Sequence, residues 1–221
     1  MHYTEGCSSV NPMAPRMTTS SYAVLALLSL KPWTAYELTH QAQRSLRYAW
    51  PKSERLLYTE PKKLVALGFA TTHSESTGNR SRNVYTITDE GTEALGEWTA
   101  TEPQPPRFEI EALLRLLFAD HGSKDDLHHS LDKLEEDIGE HHGAIVELMA
   151  SYLDGGHPFP DRTHLSVLFA TLQIEMFKTI EAWIAFAREE IEPWPRTEGL
   201  GMTDRTRQLT ELLARDQSPL D

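Results

Sequence analysis

Apolar positions along this chain recur mostly at three- and four-residue steps, the spacing of helices with one buried face. The departure from that pattern lies between Ser53 and Thr88, SERLLYTEPKKLVALGFATTHSESTGNRSRNVYTIT. Ser53 is a helix-cap residue, Leu56, Leu57, Leu64, Val65 and Leu67 supply a buried face, and Gly68 suits the stop. A β-like run follows from Phe69 to His73, then a polar, Gly-containing tip from Ser74 to Arg82, then a second β-like run from Val84 to Ile87. Pro61 falls inside the helix, where it removes one backbone hydrogen bond. A kink is expected there, or a short first segment with Thr59 restarting the helix.

Upstream, Thr18 to Leu30 opens on Thr and Ser and becomes almost wholly apolar, as a central core helix does. Lys31-Pro32-Trp33 breaks it. Thr34 caps a second helix, Glu37 closes a capping box, and Leu38, Ala42 and Leu46 face inward on a run to about Ala49. Three short helices and then a hairpin is the order of a winged helix-turn-helix domain. Thr88 introduces a fourth helix, Asp89 to Thr99. TEPQPPR, residues 101–107, has the composition of a linker. Beyond it come a Leu-rich helix (Phe108 to Ala119), a long helix capped by Ser123 and reaching about Leu153, a Gly- and Pro-containing turn, an aromatic helix (Thr163 to Ile191) and a weak amphipathic helix (Thr203 to Arg215). The expected fold is mainly α: a winged helix-turn-helix domain with a two-stranded wing over residues 18–100, a proline-rich linker over 101–107, and an α-helical dimerisation and effector domain over 108–215. Residues 1–17 lack periodicity and are expected to be a disordered extension.

Charge sharpens this division. The chain carries a net charge of −12, which argues at first against nucleic acid. From Thr18 to Glu90, however, nine Lys and Arg face six Asp and Glu, whereas from Gly91 onward eleven face twenty-six. Only the first domain approaches phosphates favourably, and the acidic remainder helps to set which face docks. The single cysteine, Cys7, leaves no internal disulfide framework and fits a reducing cytoplasm. No apolar run is long enough to span a membrane.

The candidate DNA-binding residues follow from position. Lys52, Arg55, Lys62 and Lys63 lie on or beside the third helix, Ser53 and Tyr58 add hydroxyl donors, and Arg80 and Arg82 sit at the hairpin tip, where a wing reaches the backbone or minor groove. A charged helix taken alone is usually a solvated face. Here the cap, the Gly stop, the hairpin and the basic tip fall in the required order.

The residues also carry a resemblance. Leu57-Tyr58, Leu64, Gly68, the basic run Arg80 to Arg82, and Val84-Tyr85 with Thr88 and Gly91 resemble the pattern of the PadR family of bacterial winged-helix regulators. The first helices, YAVLALLSLKPWTAYEL, match as well, with Ala35 where the family often has Gly. FEIEALLRLLFADHGS is similar to the start of the helical C-terminal region of the virulence-activator (AphA-like) subgroup. The resemblance implies a transcriptional regulator, with repression expected, that binds double-stranded DNA as a homodimer and in some members answers to phenolic or other planar hydrophobic molecules or to nucleotides, while other members have no known ligand.

In the second half, Leu127, Leu131, Leu134, Ile138, His141, Ile145, Leu148 and Tyr152 form a heptad seam, and Leu127, Leu131, Leu134, Ile138 and Ile145 are the expected dimerisation residues. Met176, Phe177, Trp183 and Phe186 are candidates for an effector pocket, although aromatics at helical spacing also fit plain packing. His128-His129 and His141-His142 invite a metal reading, but no cysteine accompanies them and no metal or cofactor is expected. His141 fits either a switch or a register-setting polar seam residue. No Gly-rich phosphate loop, HExxH or Gly-x-Ser-x-Gly is present, so no enzyme is expected. The rival reading is a winged-helix protein-interaction module that binds no DNA.

Overall fold

The computed structural model describes residues 16–46, 54–77 and 80–220. The expected disordered extension therefore falls almost wholly outside the described residues, and the second helix, expected to run to about Ala49, ends at Ser45 with Leu46 as its C-cap. The chain divides into two compact units, Met1–Gln104 and Pro105–Asp221.

In the first unit, helix α1 spans Thr19–Leu28 and is capped by Thr18, whose side chain accepts from the Ser21 amide. Its Val24, Leu25 and Leu28 are almost completely buried, which makes it the core helix its composition implies. Strand β1 is only Trp33–Thr34. Helix α2, Ala35–Ser45, begins in the expected capping box: Glu37 accepts from the Thr34 amide (2.8 Å) and hydroxyl (2.7 Å). Leu38 and Ala42 are buried on it.

Helix α3 runs from Glu54 to Ala66 through Pro61 without a restart at Thr59. It ends in a Schellman arrangement. The Gly68 amide donates to Val65 and the Phe69 amide to Leu64, both at 3.0 Å, and Gly68 takes the positive φ of 81° that the motif needs.

The hairpin strands are β2, Ala70–Thr77, and β3, Arg80–Ile87, paired antiparallel from Ala70 opposite Ile87 to Thr77 opposite Arg80. One expectation is corrected here, and one pairing is added to the two-stranded wing. The strands extend through most of the stretch read as a polar tip, because Ser74 bonds Asn83 (3.0 Å) and Glu75 bonds Arg82 (3.2 Å) across them. The sheet is also three-stranded, in the order β1-β3-β2, since Trp33 and Thr34 pair with Tyr85 and Val84. Trp33 is held there by its indole N–H, which donates to the Leu27 carbonyl at 2.8 Å. Helix α4, Asp89–Thr99, closes the unit by stacking Trp98 on Tyr22 of α1, with ring centroids 5.0 Å apart.

The second unit contains α5 (Glu111–Leu117), α6 (Lys124–Leu153), α7 (Thr163–Ile191) and α8 (Asp204–Ala214). Helix α5 is shorter than expected: Ile110 offers it no side-chain cap, and none of its residues is buried. Helices α6 and α7 pack as an antiparallel hairpin. Leu127 and Leu131 share a core with Ile184, Ala187 and Ile191, with Leu134 and Trp183 packed against it. Ile138 and Ile145 are buried as well. The seam read as a subunit interface is therefore occupied within the chain. Helical periodicity reveals that a face is apolar; it carries no information on which helix covers it. Among the described residues, no helix is long and apolar enough to cross a membrane.

Candidate nucleic-acid interface

Helix α3 sorts its residues by face. Leu57, Glu60, Pro61 and Leu64 are buried, whereas Arg55, Tyr58, Thr59 and Lys62 are exposed. Arg55, Tyr58 and Lys62 follow one another at three- and four-residue steps and so form one outward stripe. Lys63 is placed differently. Its ammonium lies 2.8 Å from the Ser21 hydroxyl and 3.4 Å from the Glu60 carboxylate, and its side chain is largely covered. Lys52 and Ser53 lie outside the described residues.

On the wing, Arg80 opens β3 opposite Thr77. Arg82 is exposed and donates to Glu75 at 3.2 Å, while His73 sits 3.1 Å from the other oxygen of that carboxylate. The His73 hydrogen bond first, and Arg82 second, hold the Glu75 carboxyl below the usual carboxylate range. The arginine is thus held across the hairpin by a solvent-exposed contact that a phosphate can replace, since exposed ion pairs contribute little.

Between these elements lies an open groove of about 570 Å³, lined by Tyr36 and Glu37 of α2, Tyr58 and Lys62 of α3, and Arg82 and Asn83 of β3. The outward stripe and the wing thus share one surface. The Glu37 carboxylate in this groove accepts from the Thr34 amide and hydroxyl through Oε2, and these two bonds hold its pKa low. Tyr36, 70% exposed, is a residue the sequence reading missed. It was accessible there: it lies two residues past the cap, off the face defined by Leu38, Ala42 and Leu46.

The effector candidates do not converge on a described cavity. Phe177 is buried against α6, its ring 6.2 Å from that of His141 and 6.3 Å from that of His142. Trp183 packs on the hairpin core, and Met176 and Phe186 are half-buried. His142 lies 3.0 Å from Glu181 on α7. No group of histidines and carboxylates suited to a metal ion occurs among the described residues.

Residues 24–97 match the transcriptional regulator PadR-like family. A curated relative, the negative transcriptional regulator PadR of Bacillus subtilis (strain 168), is 28% identical over 174 residues, covering 76% of this chain and 94% of its own. Among solved structures, smu.1604c from Streptococcus mutans UA159 is similar with a TM-score of 0.70 at 20% identity, covering 78% of this chain and 99% of its own. Bacillus subtilis PadR in complex with operator DNA has a TM-score of 0.66 at 23% identity, covering 80% and 99%. The Vibrio cholerae virulence activator AphA has a TM-score of 0.56 at 22% identity, covering 88% and 99%. These structural likenesses establish the fold.

Proposed function

We propose that this chain is a PadR-type winged-helix transcriptional regulator, a reading supported by the match of residues 24–97 to the PadR-like family, and that it represses transcription by binding a pseudo-palindromic operator as a homodimer. The observation that carries the proposal is the common surface of α3, the wing and the groove between them. Arg55, Tyr58 and Lys62 enter the major groove, while Arg82, with Arg80 at the start of its strand, reaches the sugar-phosphate backbone. The groove beside Tyr36 takes the adjoining strand. Repression is supported by the description of the Bacillus subtilis relative as a negative regulator.

The second subunit docks on apolar surface that the α6–α7 hairpin leaves open. Leu165, Leu168, Phe169 and Leu172 follow the 3–4–7 pattern on α7 and are between 40% and 70% exposed. A continuous apolar stripe of this kind marks an interaction surface, and a self-complementary one suits a two-fold dimer. A planar hydrophobic effector acting on the helical unit releases the DNA. Supporting this, Bacillus subtilis PadR has been solved in complex with p-coumaric acid, and Met176 and Phe186 stay half-buried on α7.

Titration against random duplex DNA tests the central claim. Binding is expected at low salt, with log K falling linearly against log salt. Arg80→Ala with Arg82→Ala is expected to weaken binding to all sequences alike and to flatten that slope. Absence of binding at low salt would leave the winged fold as a protein-interaction module.

A further inference from the structure

Helix α3 is the element that has to hold its shape against DNA, yet it contains a proline in its interior. Pro61 has no amide hydrogen to give the Leu57 carbonyl, so the backbone ladder is interrupted in the middle of the reading helix. Pro61 is completely buried, facing inward. The residues on either side of this interruption are tied to α1. The Ser21 hydroxyl donates to Glu60 Oε2 at 2.7 Å and accepts from Lys63 Nζ at 2.8 Å and from the Thr18 amide at 3.0 Å. Thr18 Oγ1 also lies 3.1 Å from this oxygen, so the one donor and two acceptor sites of the serine hydroxyl are fully engaged. Ser21 is fully buried and Glu60 is 9% exposed, so the charged partners meet where water screens them little.

We propose that Ser21, Glu60 and Lys63 form a positioning clamp for the reading helix, and that Lys63, although adjacent to the DNA-facing Lys62, makes no phosphate contact. The clamp replaces the rigidity lost at Pro61 by fastening both sides of it to the core helix. It also neutralises a carboxylate carried by the helix that approaches the polyanion. Lys62, one residue earlier, is exposed and lines the groove, so two consecutive lysines have separate roles. This inference rests on the DNA-binding reading above and adds the division of labour within it.

Salt dependence separates the two roles, since each cation brought to the DNA surface, in the major groove or on the backbone, neutralises about one phosphate and contributes about 0.9 to the slope of log K against log salt, whereas a lysine paired inside the protein contributes none. The full-length protein is titrated with a random duplex and with a duplex selected for tight binding. Lys62→Gln is expected to lower the slope by about 0.9 on both. Lys63→Gln is expected to leave the slope unchanged and to weaken the selected duplex more than the random one, because a loosened helix loses base contacts first. Glu60→Gln keeps an acceptor for Ser21 but releases the Lys63 charge, so the slope is expected to steepen by about 0.9 and the preference for the selected duplex to fall. A Lys63→Gln slope that drops as the Lys62→Gln slope does overturns the assignment. If Lys63→Gln does not fold, as judged by its melting transition, Glu60→Gln decides, and an unchanged slope there overturns the assignment equally. A wild-type protein that binds no duplex overturns the DNA reading and this one together; wild-type binding with a flattened Lys63→Gln slope overturns this one alone.

Discussion

A methyl group at residue 91 would collide with the carbonyl oxygen of Phe69 and lie 2.9 Å from Cγ1 of Ile87. The same carbonyl accepts from the Thr88 amide at 3.1 Å, and Thr88 Oγ1 donates to the Gly68 carbonyl at 2.8 Å. These contacts seat the start of α4 against the start of the wing, which explains why Val-Tyr-x-x-Thr-x-x-Gly has its spacing in this chain. Gly91→Ala is expected to destabilise the fold by about 1–3 kcal/mol through overpacking. Thermal denaturation checks it, and an unshifted midpoint would mean that α4 moves away freely. Tyr36 makes a different case. If its hydroxyl donates to a phosphate, Tyr36→Phe weakens duplex binding about tenfold, the value of one hydrogen bond to a charged acceptor. Equal affinities for the two proteins would remove Tyr36 from the interface. The contrast between Lys62 and Lys63 could not be read in sequence. A run of two lysines has no inherent inside and outside; their difference arises from a serine 42 positions away.

At the scale of elements, the capped helices were the most legible. Thr34 with Glu37, Ser123 with Asp126 and Thr88 before α4 all begin helices as their residue types imply, because the capping bonds are local. Glu37 gives this a pH signature. Its folded pKa is lowered first by the Thr34 amide and then by the Thr34 hydroxyl. A depressed folded pKa contributes stability that is complete above the unfolded carboxylate pKa and is lost as pH falls through the folded value. The wild-type melting temperature is therefore expected to fall across the acidic side of the ordinary carboxylate range by more than that of Glu37→Gln. Parallel pH profiles for the two proteins would show that the cap bond is not coupled to folding. The wing was legible only in part. Strands with one buried face announce themselves by alternation, but much of β2 and the outer part of β3 is solvent-exposed and polar. Their pairing comes from the cross-strand register, which no local pattern records. Strand β1 is two residues long and exists only because β3 lies beside it.

At the scale of the whole molecule, the α6 seam and the α7 stripe predict different outcomes. Leu131 is 1% exposed inside the hairpin, so Leu131→Ala is expected to lower stability by about 2–5 kcal/mol. Leu168 is 70% exposed, so Leu168→Asp is expected to leave the melting transition in place while converting a dimer to monomers in sedimentation. A Leu168→Asp protein that still sediments as a dimer would place the subunit interface elsewhere. The sequence by itself determined most of the helices and the Thr34, Thr88 and Ser123 caps, the Gly68 stop, the winged order, the family resemblance and the concentration of positive charge in the first half. All of these depend on residues close together in the chain, or on sums over it. Tertiary structure decided which helix covers the α6 seam, where the wing ends, that Pro61 lies inward within an unbroken α3, and which of two adjacent lysines faces outward. Each of those depends on a partner far along the chain, and burial is settled by what the partner covers.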